Sequence, residues 1–131
     1  MIMSMNRINE KEMLIMGLLE DLKALNVNVD EGLERMMGNS SLYERMLVKF
    51  IKVMNDLEVS PDFDNNDYAE IIEKTHTIKG ASGNLSITPI YEAYTEIVNL
   101  LRSDKPDEAK QILRDILPVQ KEILACIEKY A

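Results

Sequence analysis

"NDYAEIIEKTHTIKGASGNL", residues 66–85, decides how the chain folds. Wound at 3.6 residues per turn, it sets Tyr68, Ile71, Thr75, Ile78, Ser82 and Leu85 along one stripe, the pattern of a helix with one buried face. His76, the only histidine, lies off that stripe. Stepping about 100° per residue, Gly83 falls roughly 20° and Gly80 roughly 40° from His76, with Ala69 near the same line and Lys79 about 60° to the other side. A glycine inside a helix costs on the order of 1 kcal/mol against alanine, so two of them beside one histidine call for a reason. Either a neighbouring helix packs closely there, or another molecule approaches.

Outward from this segment the spacing stays helical, with no sustained two-residue alternation, and the predicted class is all-α. Ile8, Ile15, Leu18, Leu22 and Leu25 mark a first amphipathic helix ending near "NVNVD". Asp30 is placed to cap a short second helix that turns Leu33, Met36 and Met37 inward and stops at Gly38. A third helix opens at Asn39 or Ser40, with Ser41 and Glu44 spaced as a capping box, and runs toward Leu57. "EVSPDFDNND" is polar and carries Pro61, which predicts a loop and the best candidate for a mobile connection. Thr88–Pro89 and "SDKPDE" are restart signals for two further helices, and Pro118 is a predicted kink in the last. Short connections favour antiparallel neighbours, so the expected architecture is an antiparallel four-helix bundle with additional N-terminal helices. One domain spans residues 1–131, with its core at about 27–131 and residues 1–26 as a helical extension.

Composition narrows the partners. The 131 residues carry 15 Lys plus Arg against 23 Asp plus Glu, a formal net charge of -8, which repels nucleic acid and anionic membranes. Apolar runs stay well short of the roughly 20 residues of a membrane span. Glu10, Lys11 and Glu12 interrupt the N-terminal apolar residues, so no secretory signal is expected. Cys126 is alone, which rules out an intrachain disulfide and fits core filling in a reducing, cytoplasmic setting. One His and one Cys make no metal-ligand set, and no Gly-rich phosphate loop is present.

An imidazole is a good nucleophile near neutral pH, because an ordinary pKa of about 6.5 leaves one ring nitrogen with a free lone pair. With Lys79 one turn away to balance charge and bare glycine backbone beside it, phosphorus is the natural electrophile. The plainer reading makes His76 a surface residue and Lys79 a solvated charge. Spacing alone leaves both open.

"HTIKGASGN" strongly resembles the core of histidine-containing phosphotransfer (HPt) domains, whose pattern is histidine, any residue, an aliphatic residue, lysine, glycine, then small residues. "VNVDEGLERMMGNSSLYERMLVKFI" and "NLSITPIYEAYTEIVNLLRSD" resemble the flanking helices of small stand-alone bacterial members, so the likeness runs over roughly residues 27 to 127. It implies a carrier without its own ATP site, cytoplasmic and monomeric. Such a carrier takes a phosphoryl group from a receiver-domain aspartate and passes it to another in a two-component phosphorelay. The implied partners are response-regulator receiver domains, with a hybrid histidine kinase among the expected donors. The receiver brings the magnesium, and no cofactor is expected on this chain.

Carried onto this sequence, the resemblance makes His76 the phosphoacceptor and Lys79 its charge partner, with Gly80 and Gly83 as docking clearance. Ala69, Ile72, Glu73 and Ile87 are then a receiver-docking patch. Many relatives have glycine where Ser86 stands; some place a Gln or Arg from the next helix near the phosphate, where Val98 occupies the Gln position and Arg102 is the remaining candidate. The alternative function is a docking module that binds and inhibits a kinase or receiver without being phosphorylated.

Overall fold

The computed structural model describes residues 9–131, so Ile8 lies outside the described residues. It is all-helical: α1 Glu10–Ala24, α2 Val29–Arg35, α3 Ser40–Asp56, α4 Ala69–Asn84, α5 Thr88–Arg102 and α6 Pro106–Tyr130. Asparagine opens the first three. Asn9, Asn28 and Asn39 each turn a side-chain oxygen onto the backbone N–H three residues on, at Glu12, Glu31 and Leu42, satisfying a donor that the helix itself cannot. Asn28 thus takes the capping role expected of Asp30, which lies inside the first turn of α2, and the cap of α3 is Asn39.

Four helix ends share one device. After α1, α2, α4 and α5 the chain enters left-handed backbone at Asn26, Met37, Ser86 and Asp104, with φ between 56° and 68°. In each case the next residue's N–H reaches back to a carbonyl five residues earlier: Val27 to Leu22, Gly38 to Leu33, Ile87 to Ser82 and Lys105 to Leu100. This is the Schellman closure, whose residue after the left-handed one commonly packs inward. Val27 and Ile87 do so, both buried. Met37 does not face the core; taking the left-handed position turns its side chain out, and it is 95% exposed.

Helices α3, α4, α5 and α6 pack in a ring, each against the next and α6 back against α3, while α1 lies on α6 and α3, and α2 on α1 and α3. Residues 85–87 and 103–105 are the only links from α4 to α5 and from α5 to α6, and three residues suffice only for antiparallel neighbours. Leu18 and Leu22 of α1 join Leu47, Phe50, Ile78, Ile90, Ile97 and Leu113 in one apolar core, so the N-terminal helix completes the bundle rather than merely extending it. Helix α6 continues unbroken through Pro118. Among the described residues no helix is long and apolar enough to cross a membrane.

Two details position the region around His76. The Tyr43 hydroxyl on α3 donates to the Leu85 carbonyl at 2.7 Å, satisfying the end of α4. A Cβ at Gly32 would lie 2.4 Å from that hydroxyl, so only glycine lets α2 settle there. The loop expected to be mobile is tied to the start of α6: Asn65 donates to Asp107 at 2.9 Å, Tyr68 bonds Asp104, and Lys110 sits 4.6 Å from the Phe63 ring centre. Helix α4 accordingly begins at Ala69, not at Asn66.

Candidate functional site

The buried stripe of α4 sets the direction of everything else on it. Thr75, Ile78 and Ser82 face the core, and the two hydroxyls are satisfied by their own helix, Thr75 donating to the Ile71 carbonyl at 2.8 Å and Ser82 to that of Ile78 at 2.7 Å. With that face fixed, His76 must point to solvent, and it is exposed. Lys79, one turn on, is half-buried and takes part in none of the ion pairs among the described residues, which join Lys23–Asp30, Arg35–Glu31, Lys52–Asp56, Lys74–Glu70 and Lys129–Asp21.

Beside His76 runs a groove of about 460 Å³ walled by three helices. Helix α4 contributes His76, Lys79, Gly80 and Gly83; α2 contributes Glu31 and Arg35, with its cap Asn28; α5 contributes Thr88, Tyr91 and Glu92. The two glycines differ. A Cβ at Gly80 would meet nothing within 4 Å, so this position leaves open space next to the imidazole. At Gly83 it would come within 2.8 Å of the Tyr91 ring, so this glycine seats an aromatic side chain rather than clearing the surface.

The expected docking patch is not one surface. Ile87 is fully buried, because it is the inward-packing residue of the turn that closes α4, and it can touch no partner. Ala69 and Ile72 line a separate shallow recess at the start of α4 with Tyr68 and Asp104. Glu73 is exposed one turn before His76. Arg102 is exposed at the last turn of α5 and does not line the groove, and Val98 is fully buried in the core.

Sequence reading passed over Glu31, Arg35 and Tyr91. The i,i+4 spacing of Glu31 and Arg35 announced an ion pair on one helix face, and it forms at 3.4 Å. Nothing in the spacing announced that α2 would lie across from His76. No family model, curated protein or solved structure matches the chain. The chemistry of the site therefore rests on its own side chains.

Those side chains favour one kind of reaction. An exposed imidazole offers a nitrogen nucleophile, Lys79 supplies positive charge one turn away, and Gly80 leaves backbone open to a close approach. Cys126, the other soft nucleophile, is half-buried away from the groove, and burial, followed by the nearby Asp21 carboxylate, pushes its thiol up and away from the reactive thiolate. Among the described residues no three His, Cys, Asp or Glu side chains gather as metal ligands.

Proposed function

We propose that this protein is a histidine phosphotransfer carrier, receiving a phosphoryl group from an aspartyl phosphate on a receiver domain and handing it to a second receiver. The observation that carries this reading is His76, exposed on α4 beside a groove left open at Gly80, with Lys79 one turn away. The HPt-like string "HTIKGASGN" supports the same assignment.

The chemistry balances without a cofactor on this chain. With the ring proton on Nδ1, the Nε2 lone pair attacks phosphorus in line. An N–P bond forms as the P–O bond to the aspartyl carboxylate breaks, and that carboxylate leaves as an anion. The ring keeps its Nδ1 proton and is positive until water takes it. Attack by a second aspartate on the phosphoimidazole runs the same steps in reverse. Lys79 offsets the charge on the transferring oxygens, and the magnesium that polarises them belongs to the receiver.

The test follows radiolabel from a phosphorylated receiver domain onto wild type and His76→Gln. Label on wild type alone is the expected result. Equal labelling of both proteins contradicts it, and stable binding with no label transfers the assignment to phosphorylation-independent docking.

A further inference from the structure

Three side chains from two distant segments meet on the groove wall. Ser86 stands in the turn after α4 with φ of 56°, a left-handed conformation that glycine adopts freely and other residues hold at a cost of about 1 kcal/mol. Its side chain is what glycine would lack. The buried Ser86 hydroxyl donates to Glu31 Oε1 on α2 at 2.7 Å, across 55 residues of sequence. The same carboxylate oxygen takes Arg35 Nη2 and Nε, each at 3.4 Å. Glu31 is therefore bound from both sides. The Ser86 hydrogen bond first, and Arg35 behind it, hold its carboxyl below the usual range against partial desolvation, so it stays an anion.

Arg35 is oriented but not used up. Its side chain is 51% exposed, and a guanidinium has five N–H donors of which one is hydrogen-bonded to Glu31. The chain as a whole is acidic, at -8, so an acidic partner is repelled everywhere except where local cations reverse the field. Arg35 and Lys79 are the cations of this groove, against Glu31 and Glu92 on its walls, so Arg35 meets an acidic partner through its free N–H donors. An aspartyl-phosphate protein must present carboxylates and a phosphoryl group together at its reacting face, and a planar guanidinium fits carboxylate geometry.

We propose that the Ser86–Glu31–Arg35 chain fixes Arg35 as a docking cation that binds the acidic rim of the phosphoryl-bearing protein, setting how tightly that partner docks without touching the phosphoryl group. This rests on the phosphocarrier reading. Ser86 and Glu31 are positioning residues in it.

The experiment compares two donors on the full chain: the phosphorylated receiver domain that labels wild type fastest, and phosphoramidate, which needs no protein docking. Arg35→Ala is expected to raise the receiver concentration for half-maximal transfer about five- to tenfold while leaving the saturating rate and phosphoramidate labelling unchanged. Arg35→Lys restores part of the loss, and added salt narrows the gap between wild type and Arg35→Ala. Ser86→Gly shifts the half-maximal concentration in the same direction and adds nothing in an Arg35→Ala background. An unchanged half-maximal concentration in Arg35→Ala overturns the proposal. So does equal slowing with phosphoramidate, which moves Arg35 onto the phosphoryl group, or simple additivity of the two substitutions. If wild type takes label from neither donor, the carrier reading itself has failed and this proposal falls with it; labelling of His76 by the receiver with no dependence on Arg35 removes only the latter.

Discussion

A methyl group added at Gly80 meets open space, whereas one added at Gly83 runs into the Tyr91 ring at 2.8 Å. The same 3.6-residue stepping put both beside His76, because angular position on a helix is legible from spacing while the identity of the neighbour is not. Gly80 therefore carries the sharper consequence. Gly80→Ala is expected to stabilise the free protein by about 0.5–1 kcal/mol through helix propensity alone, and to slow phosphotransfer from a receiver because the methyl occupies the clearance beside the imidazole. Denaturant midpoints and transfer rates measured on the same variant check both signs. A stabilised variant with unaltered transfer would show that the clearance serves nothing.

Helix ends were the least legible elements, for a reason particular to this chain. Glycine marks left-handed closures in most sequences, yet here Asn26, Met37, Ser86 and Asp104 take that position. Met37 was read as an inward residue because its spacing continues α2, and Ile87 as an outward one because the stepping was carried past Asn84, where the helix has already ended. The helix starts are clearer, since an asparagine before an apolar-periodic run is a physical acceptor for orphan N–H groups; the differences are Asn28 in place of Asp30 as the cap of α2, and α4 opening at Ala69 rather than Asn66. Met37→Gly isolates the left-handed closure. Its side chain is 95% exposed, so little contact is lost and the strain is relieved. The expected gain is about 0.5–1 kcal/mol in unfolding free energy, read from the denaturant midpoint; a loss would mean that Met37 makes contacts worth more than its backbone strain.

Across the whole molecule, the core and its all-α class were legible because Thr75, Ile78, Ser82 and their counterparts on the other helices keep one period. The groove was not, since it depends on Glu31 meeting Ser86 and Tyr91 seating on Gly83, contacts that no local pattern encodes. The core also fixes an alkaline limit. Burial pushes the Tyr94 phenol up to about 12, despite its hydrogen bond to Gln120, and burial moves Tyr43 further in the same direction. The folded state thus holds these protons more tightly than the unfolded chain, whose tyrosines ionise near 10. Stability is unaffected below pH 10 and is lost as pH rises from 10 toward 12, at up to about 1.4 kcal/mol per pH unit for each phenol. Tyr94→Phe is expected to lose about 1 kcal/mol at neutral pH with its hydrogen bond to Gln120, yet to fall less steeply above pH 10 in urea unfolding. An equal slope in both proteins would show that Tyr94 is not the titrating group. For the function, the most direct measurement is phosphorus NMR of the intact protein after reaction with a phosphorylated receiver domain. One phosphoramidate-type signal, lost in acid and absent from His76→Gln, is the expected result. A signal that survives in His76→Gln, or none in wild type under conditions where the receiver itself is phosphorylated, would contradict the account.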